Sequence, residues 1–225
     1  MLLSLSQPCA GTLLLLLVTN VLLGKNTASD PVCYMWSNRC HLSFSDHFSQ
    51  AVTVSQEIRD QVTDTFTEFD KQYTQDLEFN DRVPTCHTSS LAVPEKEEEA
   101  QQMKPVILLK LTHTLLGAWT NPLQHLVEEM GSLQGAPAAL LSNATEIEEN
   151  HKGLLEGVRK LIRRVEDKEN KNYPAWSGLE SLQSDNEDTR LFAFYNLFRC
   201  LIKDSETATT HLKHLRCQMD PYSEC

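Results

Sequence analysis

The sequence predicts an all-α fold: a four-helix bundle in up-up-down-down order, with two long crossovers and three disulfides. Three observations predict it. Four stretches carry apolar residues at spacings of three and four. The connections between them run long, short, long. Behind an N-terminal leader lies an even set of cysteines, the pattern of a chain cross-linked in an oxidising compartment. There is no convincing two-residue alternation and no internal repeat.

The leader runs from Met1 to about Ser29 and leaves 30–225 as one domain. Its apolar stretch, Leu13 to Leu23, is shorter than the ~20 residues a bilayer span needs. Thr27, Ala28 and Ser29 are the small residues a signal peptidase selects, although the only base, Lys25, follows the apolar run. A secreted product, free of the membrane, is expected. Cys9 leaves with the leader, so Cys33, Cys40, Cys86, Cys200, Cys217 and Cys225 remain. Six cysteines allow 15 pairings. The simplest is a small loop at each end, Cys33–Cys40 and Cys217–Cys225, with Cys86–Cys200 tying the middle of the chain to its last helix.

The first helix runs from about Phe44 to Tyr73, with Phe48, Val52, Ile58, Val62, Phe66 and Phe69 on its apolar stripe. The second runs from about Lys104 to Gly131; Pro122 inside it predicts a kink, because proline removes a helix hydrogen bond and clashes with the preceding turn. The third runs from about Ala138 to Val165 on Ile147, Leu154, Val158, Leu161 and Ile162. The fourth runs from about Glu187 to Met219, with Ser184 or Asp185 as its N-cap. A helix of about 28 residues is ~42 Å long. The link at 132–137 is too short to cross that length, so the second and third helices are antiparallel. The link at 168–186 can reach ~60 Å when extended, and the one at 74–103 is longer still. Both can cross the bundle, which gives the cytokine-type order.

A net charge of −11 argues against a general nucleic-acid binder. No nucleophile elbow, phosphate-binding loop or complete metal motif points to an enzyme or a cofactor. Glu148-x-x-His151 has half of a di-iron ligand pattern, and without the second half it reads as a histidine at the bundle edge. His211-x-x-His214 reads as a solvated face. Trp119 and Trp176 read as packing residues, and Trp36, in the first small loop, as a surface contact. Arg159, Lys160, Arg163 and Arg164 form one basic patch, either a solvated face paired as Glu156–Lys160 and Arg163–Asp167 or a contact for sulfated glycans. Asn143-Ala144-Thr145 is a glycosylation sequon.

Several runs resemble the prolactin family. They are Cys86-His87-Thr88-Ser89-Ser90-Leu91, Pro94-Glu95 and Ala100-Gln101-Gln102-Met103 in the first crossover, and Leu154-Leu155-Glu156-Gly157 on the third helix. Tyr173-Pro174-Ala175-Trp176-Ser177-Gly178-Leu179 and Tyr195-Asn196-Leu197-Phe198-Arg199-Cys200-Leu201 complete them. Within that family the chain resembles the placental prolactin-related hormones. The resemblance implies the same three bridges, and a secreted hormone engaging a single-pass cytokine receptor ectodomain through its first and fourth helices. It carries over Val52, Phe66, Tyr195, Lys203 and Lys213 to that face, and Gly157 to the cleft where a second receptor docks. The chain departs from the pattern at the zinc-linked and polar positions, which hold Gln56, Arg59, Glu206, Thr207 and Thr209. The apolar part of the face is kept and the polar part rewritten, which points away from the prolactin receptor itself.

Overall fold

The computed structural model describes residues 32–33, 40–41, 43–75, 77, 79, 84–166 and 172–220. The leader, Trp36, Asp167 and Cys225 lie outside them, and with them the leader cleavage, the Trp36 contact, the Arg163–Asp167 pairing and the Cys217–Cys225 bridge. In the first 41 residues, strands β1 (Val32–Cys33) and β2 (Cys40–His41) pair antiparallel with Cys33 directly opposite Cys40. Residues opposed in such a ladder have Cα atoms about 4.5–5.5 Å apart, the range a Cys33–Cys40 bridge requires.

Helix α1 (Phe44–Phe69) begins at Ser43 in a reciprocal capping box with Asp46. It runs on into a π-helical turn at Asp70–Thr74, closed by the Thr74 hydroxyl on Asp70. The first crossover carries a 3-10 turn (His87–Ser90) and a short helix α2 (Glu97–Gln101). The second bundle helix is in two pieces, α3 (Pro105–Ala118) and α4 (Thr120–Met130). Helix α5 (Ala138–Val165) follows, then α6 (Leu179–Leu182) in the last crossover, then α7 (Glu187–Met219). The cap of α7 differs from the sequence expectation. Asn186 is the N-cap, accepting from the Thr189 amide at 2.8 Å, while Ser184 supports it by accepting from the Asn186 amide at 3.2 Å.

Side-chain pairings give the helix directions. Along α1 and α7, Ser45 meets Asp220, Ser55 meets Thr209 and Phe69 meets Phe194. One number rises as the other falls, so the helices are antiparallel. Along α3 and α7, Thr112 meets His211 and Trp119 meets Asp204, again antiparallel. Helix α1 meets α5 with Asn150 bonded to Gln61 near one end and His47 beside Lys160 at the other. Helices α1 and α3 therefore run together, and α5 and α7 run back: up, up, down, down. Phe48, Phe69, Leu108, Leu126, Ile147 and Phe198 are among the fully buried side chains between them.

One disulfide, Cys86–Cys200, joins the first crossover to α7 across a sequence separation of 114. Its loop is long enough for the chain-entropy model to assign roughly 4–5 kcal/mol, by constraining the unfolded chain. The last crossover is held differently. A Cβ added to Gly117 would lie 2.0 Å from the Tyr173 ring, so the missing side chain is what lets that ring lie on α3.

Gly117→Ala should therefore displace Tyr173 and lower stability by about 1–3 kcal/mol. Gly153→Ala, at an exposed position of α5 with nothing within 4 Å of the added Cβ, should raise it by up to about 1 kcal/mol. Urea midpoints of the two variants measure this, and equal shifts would refute the packing role of Gly117.

Candidate functional site

The second helix breaks where sequence placed a kink, and the break organises a polar junction. Pro122 has no amide to donate, and its ring crowds the carbonyl four residues back, that of Ala118. The helix parts at Trp119, and the Ala118 carbonyl accepts instead from His87 Nε2 at 3.2 Å. That bond holds the first crossover against the break. The His87 ring stands edge-on to Trp119 at 4.9 Å between centroids. Trp119, 2% exposed, donates from its indole to Asp204 on α7 at 2.8 Å, and Thr88 also bonds that carboxylate. Burial pushes the Asp204 carboxyl up and the His87 imidazole down from their ordinary values.

His151 is part of the same junction rather than of the bundle edge. It is 3% exposed and bonds the Leu116 carbonyl, while its Nε2 has no partner. It lines an apolar cavity of about 20 Å³ with Ser55, Trp119, Asp204 and Ser205. Burial pushes its pKa down to about 4. His211 likewise departs from the solvated face expected of it. It is 2% exposed and touches the Pro94 carbonyl at 2.9 Å and the Thr112 hydroxyl at 3.3 Å, pinning the crossover to α7 and α3. Among the described residues no group of three or more His, Cys, Asp or Glu is placed to hold a metal.

Above this junction lies the seam of α1 and α7. Phe66 and Tyr195, both half-buried, meet edge-on at 5.4 Å, and Phe79 adds a third ring 5.4 Å from Tyr195. Lys203 is exposed and reaches Glu95 of the crossover at 2.6 Å, which holds the Glu95 carboxyl below its ordinary value. Lys213 is half-buried further along α7. Two positions correct the sequence reading. Val52 is 3% exposed and belongs to the core, so it offers no surface. Thr209 is also buried and donates to the Ser55 carbonyl, making it a packing contact between the helices.

On the other side of α1, a cleft of about 230 Å³ separates it from α5. Gly153 and Gly157 expose the α5 backbone there, with open space where their Cβ atoms would stand. Lys160 lies at its edge, opposite His47. Burial, then Arg164, then Lys160 pull the His47 imidazole below its ordinary value. Within the basic patch, Glu156 pairs with Arg159 at 2.8 Å rather than with Lys160. Trp176 is half-buried and stacks on His125. Asn143, half-buried, sits on α5, where the Thr145 hydroxyl of its sequon bonds the Leu141 carbonyl at 2.8 Å. No helix among the described residues is long and apolar enough to cross a membrane.

Comparison with known proteins agrees with this architecture. Residues 16–225 match the model of the somatotropin hormone family. The chain is 44% identical to mouse Prolactin-2A1 and 43% identical to rat Prolactin-2A1, in each case over 99% of both sequences.

The junction predicts a pH dependence. His151 has a lowered pKa when folded, so the unfolded chain binds more protons and acid favours unfolding. The stability this contributes is complete above pH 6.5 and is lost as pH falls toward 4, roughly 3 kcal/mol in all. Asp204, with a raised pKa, acts in the opposite sense and gains stability on acidification. Urea midpoints of the native chain and of His151→Leu, compared at pH 7 and about 4.5, should converge or cross at acid pH. A constant difference between them would show that His151 does not titrate in this range.

Proposed function

The chain belongs to the somatotropin hormone family, and we propose that it acts as a hormone on a cytokine-type receptor other than the prolactin receptor. The observation that carries this reading is the aromatic seam of α1 and α7. Three rings from three segments lie together, half-buried, on a folded scaffold. Partly exposed aromatic anchors are the usual centre of a protein interface, and truncating one costs ~2 kcal/mol or more. Phe66 and Tyr195 are the proposed anchors, with Lys203 and Lys213 around them. The cleft over Gly157 is the proposed second contact, where open backbone lets a partner side chain approach.

The polar surroundings support a changed partner. Lys203 is engaged by Glu95 within the hormone, so a receptor carboxylate must displace that pair to use it. Glu206 is an acid on an exposed position, and Thr209 is buried. A partner whose own polar groups would be left unpaired against these residues is rejected. Secretion, removal of 1–29, the bridges at Cys33–Cys40 and Cys217–Cys225, and a glycan on Asn143 complete the proposal.

Binding of the secreted protein to a panel of cytokine-receptor ectodomains tests it. Tyr195→Ala should weaken the bound receptor at least ~30-fold while the melting temperature holds, whereas parallel losses of both would make Tyr195 a core residue. Zinc should leave binding unchanged; a zinc-dependent gain abolished by Glu206→Ala would refute the changed polar site. For Asn143, glycosidase should increase the gel mobility of protein secreted from cells, and Asn143→Gln should abolish that change. An unaltered mobility would remove the glycan.

A further inference from the structure

Helix α5 carries a charge pattern that its own bundle leaves unanswered. Glu149, Gly153, Gly157 and Lys160 recur at spacings of four, four and three, so they share one face of the helix, and all four line its cleft against α1. The acid and the base stand about 16 Å apart along the axis, with the two glycines between them. Neighbouring charges are used locally: Glu148 pairs with Lys152, and Glu156 with Arg159. Glu149 and Lys160 are exposed and have no ion pair or hydrogen bond among the described residues. His47, across the cleft from Lys160, is held toward its neutral form and adds no counter-charge. Nothing lies within 4 Å of where the Cβ of Gly153 or Gly157 would stand, so bare backbone lies between the two charges.

We infer that this face pairs with the same face of a second copy of the chain, the two α5 helices lying antiparallel across a two-fold axis. In that arrangement the face is complementary to itself. Both pairs, Glu149 with Lys160 and Gly153 with Gly157, are centred on Leu154 and Leu155. A two-fold axis there sets Glu149 against the partner's Lys160 and Lys160 against the partner's Glu149, as an isologous contact requires. It also sets Gly153 against the partner's Gly157, where the missing side chains let the two backbones approach closely. A parallel pairing would oppose acid to acid and base to base, which like-charge repulsion rejects. The partner's helix ends at Val165 before it reaches the level of Asn143, so that sequon stands outside the paired stretch. Three turns of contact make a small interface, so association at about tens of micromolar is expected. The dimer covers the cleft proposed above for a second receptor contact. That consequence rests on the receptor reading, and the association itself does not.

Sedimentation equilibrium of the full secreted chain tests this at about 0.05 M salt, where exposed charges are little screened. A monomer–dimer equilibrium should appear between about 10 and 100 µM, and a chain still monomeric at the upper end overturns the inference. Glu149→Lys and Lys160→Glu, each alone, place like charges at both contacts and should each weaken the dimer ~10-fold or more. Mixing the two single variants pairs opposite charges again, and should give a heterodimer of the native affinity to within about threefold. No weakening in the single variants, or no rescue on mixing, overturns the antiparallel pairing. Gly153→Leu enters open space in the monomer, so it should keep the melting temperature while removing the dimer. A dimer that survives this change overturns the contact through the glycine face. Because self-association is measured without receptor, a failure of receptor binding leaves this result standing, and the reverse.

Discussion

The absence of one amide hydrogen, on Pro122, shapes more of this protein than any single contact. It leaves the Ala118 carbonyl without a helical partner, and the second helix parts there. His87 then supplies the missing donor from a crossover that must in any case pass this point. Trp119, turned inward at the break, sets its indole against Asp204. The crossover, the second helix and the fourth thus converge on one buried polar cluster. The disulfide at Cys86, one residue before His87, makes the same convergence covalent. A hydrogen-bonded network in a dry interior fixes geometry more strictly than apolar packing does, because each unpaired member is costly.

The sequence was legible where periodicity and connection length decide the outcome. The third and fourth helices have the limits expected from their stripes, and the long–short–long links are enough to predict their directions. It was less legible where a position on a stripe had to be assigned to core or surface. Val52 lies on the apolar stripe of α1, and only the packed bundle shows that it is fully taken up by it. His151 follows Ile147 and precedes Leu154 at helical spacing, a sign of burial that its polar character concealed. His211 is buried because the Pro94 carbonyl of a distant crossover arrives beside it, and no local pattern announces that. Asn186 outcompetes Ser184 as a cap because both bond the turn and only one is in register with Thr189.

Charge shows the same division. Composition gives a uniformly acidic protein, and the basic run on α5 looks like a local exception. Once the helices have directions, Lys110, Lys213 and Arg216 fall at the same end as that run, together with the exposed acids Glu97, Glu98 and Glu99 of α2.

The Cys86–Cys200 bridge also sets what a protease can do to this molecule. It closes a covalent ring that contains all of α3, α4 and α5 and both ends of the last crossover. A single cut anywhere inside the ring produces two chains that remain joined through the bridge. The four helices stay tethered, and the released ends gain only local freedom. Separation into fragments then requires a second event, reduction of the bridge, so the lifetime of the cleaved molecule is governed by the redox state of its surroundings.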